Sequence, residues 1–231
     1  MAVMTREPGS TIAEKCGASA GAWAVLWILI HYLILQSASA DPTSAGTDYV
    51  RVLLAERMKW EWATALRIMG GLMIIWYSGS LAGRLRLAEG EPGRLASISF
   101  GLGVLWGSMW VLSAMFNSAA IMLGPQYQHP EGARLAAILG QEMVLIMTPS
   151  IVFVLSMAVA FVGFRFGGFP KVYINATGLL SVVILGLAIA DWYGPGTLAP
   201  TIMIVALAWT AVTSLLLVPT YHAADMVRGS R

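Results

Sequence analysis

Residues 172–191 read VYINATGLLSVVILGLAIAD, and no charged residue falls between Lys171 and Asp191. About 20 predominantly apolar residues are what an α-helix needs to cross the hydrocarbon core of a bilayer. A barrel strand would alternate in polarity, and the run Val182-Val183-Ile184-Leu185 does not. A helix also satisfies its own backbone amides, which hydrocarbon cannot do for it. This stretch therefore reads as a membrane-spanning helix.

Five further stretches read the same way: about 22–38, 62–82, 97–123, 135–164 and 198–219, with 172–191 between the last two. Helix breakers separate them. Gly90-Glu91-Pro92-Gly93, Gly124-Pro125 with His129-Pro130, Gly167-Gly168-Phe169-Pro170 and Gly194-Pro195-Gly196 each fall between apolar runs. The expected fold is all-α: a polytopic transmembrane helical bundle of about six spans, occupying 1–231 as a single domain.

Composition agrees. The 231 residues are 58% hydrophobic and 11% charged, with mean hydropathy +0.73. A soluble domain carries about 25% charged residues, so this chain could not cover its surface in water. Net charge is +2 and the 14 basic residues are scattered, leaving no footprint for nucleic acid. Cys16 is the single cysteine, which excludes an intrachain disulfide or thiol pair. Arg outnumbers Lys 11 to 3, the bias of a GC-rich bacterial genome.

Basic residues also set an orientation. With the N-terminus cytoplasmic, Arg6, Lys15, Arg84, Arg86, Arg94, Arg165, Lys171, Arg228 and Arg231 lie inside, and Arg51, Arg57, Lys59 and Arg134 outside. Nine against four places both termini in the cytoplasm of a bacterium, with the bundle in its inner (plasma) membrane. The first segment has a second reading. Basic residues precede a short apolar run, and Ser37-Ala38-Ser39-Ala40 before Asp41 resembles a signal-peptidase site. Cleavage there would leave five spans.

Between the first two spans, about 48–61, apolar and charged residues separate at helical spacing, as in an amphipathic helix lying on the outer surface. Trp60, Trp62, Trp192 and Tyr193 fall at the outer headgroup level, where anchoring and ligand recognition are both open readings.

Ionisable residues inside spans are costly and mark functional hypotheses. Arg67, Glu142, Asn117 and His31 lie five, seven, six and seven residues from the outer ends of their spans. At the helical rise all four share one layer roughly 8–11 Å below the outer interface. Gln141 adjoins Glu142. Trp23, Trp27 and His31 repeat every four residues, and Trp106, Trp110 and Asn117 form a similar stripe, so a pocket floored by Trp27, Trp106 and Trp110 is expected. Two readings stay open. Arg67 and Glu142 either neutralise each other as a staple, with Asn117 and Gln141 bonding between helices, or line a ligand site. Pro149 removes a backbone donor from the fourth span and should bend it near Thr148, with Thr148 and Ser150 able to satisfy the freed carbonyls. The spacings Gly79/Gly83 and Gly103/Gly107 match close-packing motifs of membrane helices.

No site for a metal or cofactor is legible. His31, His129 and His222 fall at different levels, so they cannot pair on a haem. No HExxH occurs, and no Lys lies within a span.

Leu54-Ala55-Glu56 through Trp62 and Arg67, with Gly168-Phe169-Pro170-Lys171 between the fourth and fifth spans, resemble a family of uncharacterised bacterial membrane proteins with six helices. The resemblance implies a fold and no chemistry. Three function classes follow. The lead is an integral membrane component without catalysis, binding partner subunits, a second copy of itself, or an apolar, lipid-like ligand. The alternative is a small-solute transporter or substrate-binding subunit using the outer polar layer, although no internal repeat is apparent. The third is a membrane-embedded lipid or isoprenoid enzyme with Glu142 and His31 as acid and base.

Overall fold

The computed structural model describes residues 10–37, 45–124, 128–193 and 198–229. Residues 38–41 of the cleavage motif, Pro125, the turn at 194–196, Arg6 and Arg231 lie outside them. Seven helices follow in order: α1 (Ser10–Gln36), α2 (Gly46–Ala55), α3 (Arg57–Glu89), α4 (Arg94–Leu123), α5 (Pro130–Phe166), α6 (Lys171–Tyr193) and α7 (Ala199–Gly229). No strand occurs among the described residues. All but α2 are long and apolar enough to cross a membrane. The chain is a multi-pass membrane protein. The end that carries Arg84, Arg86 and Arg94 is referred to as inner, the opposite end as outer.

Helices α3 and α5 form the middle of the bundle. The first packs on α1, α4, α5 and α7, the second on α4, α6 and α7, while α6, among the described residues, is held mainly by α5 and α7. Their cores explain the order. Ile74, Tyr77, Leu81 and Leu85 of α3 and Val152, Leu155, Val159 and Val162 of α5 are fully or nearly fully buried in one cluster with Trp106 and Trp110.

Several helices outrun the apolar stretches. The polar turns at 57–61 and 83–89 continue α3, because helical hydrogen bonding goes on where hydrocarbon stops. Termination needs a backbone that leaves the helix: Gly90 and Gly93, at φ 80° and 61°, supply it between α3 and α4. Glu89 then reaches forward and accepts the free N–H groups of Leu95 and Ala96, both at 3.1 Å, at the start of α4. Glu89→Ala is expected to cost about 1 kcal/mol. Hydrogen exchange should rise at residues 94–97 alone; unchanged protection there would contradict the cap.

The amphipathic segment between the first two spans forms α2, but it ends at Ala55, and 57–61 already belong to α3. Nor does α2 lie free on the surface. Tyr49 and Leu53 are buried against Trp60, Ala120, Ile121, Ala136 and Ala137, and Gly46 N–H donates to Glu131 Oε1 at 2.9 Å. Burial pushes the Tyr49 hydroxyl up to about 12, so it enters this contact neutral. Trp60 is therefore part of a core rather than a headgroup anchor; Trp62, Trp192 and Tyr193 do point outward.

Glycine sets the closest approach in the bundle. A Cβ on Gly71 would lie 2.6 Å from the Gly107 carbonyl, and one on Gly107 would lie 2.5 Å from that of Gly71. Thus α3 and α4 touch backbone to backbone. Of the two spacings expected to pack closely, Gly103/Gly107 does so, whereas Gly79 and Gly83 face outward.

Candidate functional site

Arg67, ten residues into α3, is 3% exposed although it carries a guanidinium. Its partners are neutral. His31 Nδ1 lies 2.7 Å from the Ala63 carbonyl oxygen, which can only accept, so the imidazole proton sits on Nδ1. The lone pair of Nε2 is left to accept from Arg67 Nε at 3.1 Å and Nη2 at 2.7 Å. Nη1 donates to Ser113 Oγ, which in turn donates to the Gly140 carbonyl. The Trp110 ring lies 5.8 Å from the guanidinium carbon, within cation–π range. One chain of hydrogen bonds thereby ties α1, α3, α4 and α5.

Glu142 is absent from this node. Both Gln141 and Glu142 are exposed, and no ion pair joins Arg67 to Glu142 among the described residues. The expected staple is corrected: Ser113 and His31 take the place of the carboxylate. The reason is rotational. Gly140 faces α4, where a Cβ would meet the Ser113 carbonyl at 2.9 Å, and that contact sets the phase of α5. Glu142, two residues on, is turned about 200° away. Glu142 thus faces away from the node that Arg67 and His31 share.

Asn117 is buried at 2% exposure, and Gly140 faces its Oδ1; its Nδ2 and the Trp110 indole N–H have no protein partner among the described residues. Trp106 is buried and donates to Thr148 Oγ1 at 3.0 Å. That bond engages the hydroxyl expected to serve the carbonyls freed by Pro149, while Ser150 faces outward; α5 runs through buried Pro149 as one helix. On α1 the expected stripe spirals off the core: His31 is fully buried, Trp27 half-buried and Trp23 52% exposed. A four-residue repeat drifts by about 40° per step, and two steps carry Trp23 out of the interface. Among the described residues the three tryptophans expected to floor a pocket do not share one face, Trp106 and Trp110 being buried and Trp27 half-buried.

The node offers no acid–base pair. The one lone pair of His31 is occupied by Arg67, and Glu142 points the other way. Among the described residues no cluster of three or more His, Cys, Asp or Glu could hold a metal ion. Residues Gly17-Ala18-Ser19-Ala20-Gly21 spell G-x-S-x-G, yet the nucleophile elbow that this string marks needs a sharp strand-to-helix turn. Here it lies within α1, Ser19 donates to the Cys16 carbonyl at 2.9 Å, and Gly17 and Gly21 pack on α3.

The open feature lies on another side. Helix α1 meets α7 tightly at the inner end, where Ser214 accepts the Ala22 N–H at 3.0 Å and donates to the Ala18 carbonyl. Toward the outer end a groove of about 510 Å³ runs between α1, α5 and α7. Leu29, Leu33, Leu145, Met203, Ile204 and Leu207 line it, joined by Tyr32, Gln36 and Gln141. Leu29, Leu33 and Ile204 are exposed, so the groove opens sideways toward lipid. Tyr32 forms its wall next to the node, its ring 5.3 Å from His31 and 6.4 Å from Trp110. Sequence reasoning missed the groove, and it missed Ser113, which shares the α4 face of Trp110 and Asn117 and was open to the same periodicity argument.

No family model matches the chain, and no solved structure matches it. The resemblance to uncharacterised six-helix bacterial proteins thus has no family model behind it. A probable transport protein, MmpL4 of Mycobacterium leprae (strain TN), is 31% identical over 144 residues, covering 56% of this chain. The match spans 15% of that protein's length.

Proposed function

We propose that this protein is a non-catalytic membrane component that binds a lipid-like, chain-shaped ligand in the groove between α1, α5 and α7. One observation carries the reading: an apolar groove of about 510 Å³, within the usual size of small-ligand sites, that opens to the bilayer. It extends over eight residues of α1 and of α7, Leu29–Gln36 and Pro200–Leu207, hence about 10 Å along the helix axes. That is the direction in which lipid chains run. The positive-inside count supports a bacterial inner membrane with both termini cytoplasmic, and exposed Leu179, Val182 and Ile189 on α6 leave a face for partner subunits or a second copy.

Filling the groove tests the proposal. Met203→Trp with Leu207→Trp should lower the lipid retained by the natively extracted protein about tenfold, as read by native mass spectrometry, while helix content stays the same. Bare wild-type protein, or equal retention by the filled variant, would contradict it.

A second reading, participation in transport, draws on the partial likeness to the probable transport protein. It predicts ligand movement between the leaflets of liposomes holding this protein alone or with its partner; the component reading predicts binding without movement.

A further inference from the structure

The walls of the groove hold three polar side chains, Tyr32 and Gln36 from α1 and Gln141 from α5, and no charged one. None of the three has a hydrogen bond to protein among the described residues. In an apolar setting that is costly: an amide or hydroxyl without a partner loses what water would have supplied. Gln36 and Gln141 are exposed along the open side of the groove and Tyr32 is half-buried, so their donors are within reach of a ligand seated there. The three share one cavity.

We infer that the groove selects an acyl-ester lipid, whose chain lies along the leucines and whose uncharged ester linkage bonds to Tyr32, Gln36 and Gln141. The inference rests on the lipid-binding reading and names its ligand class. Donor chemistry fits: the Tyr hydroxyl and two Gln amides present N–H and O–H groups to ester carbonyls, which only accept. Charge bears on it as well. Arg67, the cation beside this wall, is sealed behind Tyr32, His31 and Trp110. An anionic headgroup gains nothing inside the groove, so the head stays at the membrane surface and recognition falls on the linkage.

The test uses the full chain in mild detergent with three probes of matched chain length: a diester phosphatidylcholine, a diester phosphatidylglycerol and a diether phosphatidylcholine. Competition is read by native mass spectrometry. The two diesters should bind equally, and the diether about tenfold more weakly, the order expected for a neutral hydrogen-bonding group left unpaired. The Gln36→Leu/Gln141→Leu variant should lose most of the preference for diester over diether. Tyr32→Phe keeps the ring on His31 and Trp110, so partial loss of the ester preference in that variant reports the hydroxyl itself. Equal binding of diester and diether by the wild type overturns this inference and leaves the groove reading standing. A preference for phosphatidylglycerol over phosphatidylcholine also overturns it. Failure of all three lipids to bind overturns the proposed function along with it.

Discussion

His31→Leu should destabilise the bundle by about 3–5 kcal/mol, the penalty for leaving a buried charge without its acceptor. The imidazole lone pair is the acceptor for two of the three guanidinium nitrogens of Arg67, and no carboxylate stands in reserve. Arg67→Met should cost less, about 1–3 kcal/mol, because it removes the cation and leaves only neutral His31 and Ser113 short of a donor. The His31→Leu/Arg67→Met double variant should then be more stable than His31→Leu alone. That inversion is the signature of an uncompensated buried charge, and it does not arise if the two residues act independently. Reversible unfolding in mixed micelles measures all three. Additive costs, or a His31→Leu cost no larger than that of a surface substitution, would show that the node does not hold the guanidinium.

The second large effect belongs to Gly107. Placing Leu there directs a Cβ to 2.5 Å from the Gly71 carbonyl, against backbone that no rotamer change can move. Helices α3 and α4 must part, which also pulls Arg67 from Ser113. A loss of about 3 kcal/mol or more is expected, with Gly71→Leu equivalent. Gly101→Leu on the same helix is the control. Nothing lies within 4 Å of a Cβ at that position, so its effect should stay within about 0.5 kcal/mol. Leu favours a helix over Gly, so similar losses from Gly101→Leu and Gly107→Leu would mean that added bulk anywhere on α4, not the close approach to Gly71, was being measured.

Depth and face fared differently in the sequence. Depth is simple arithmetic, a fixed rise per residue counted from a helix end, and it brought Arg67, His31 and Asn117 to one level, where all three are buried. Face depends on which side of a helix is turned inward. For a soluble helix an apolar stripe answers that. Here lipid is as apolar as the core, so both sides of α5 read alike. Charge alone points Glu142 inward, and spacing alone points the Trp23–Trp27–His31 stripe inward. Small residues carried the missing signal: Gly140, Gly71 and Gly107 mark the faces in contact, because close approach, not hydrophobicity, drives helix pairing in a bilayer.

The unbroken apolar run at 172–191, and its five counterparts, determined by themselves that this chain is a bundle of membrane-spanning helices. Hydrocarbon makes the backbone pair its own amides, and unbroken apolar runs without strand alternation do so only as helices, so helix number and approximate ends follow from the sequence. Tertiary structure alone decided what those helices turn toward one another. The backbone contacts at Gly71, Gly107 and Gly140 chose Ser113 over Glu142 as the partner of Arg67. The tight inner seam of α1 on α7 left their outer halves apart around a groove. Neither outcome is written in any one segment, because rotation about a helix axis is a property of pairs.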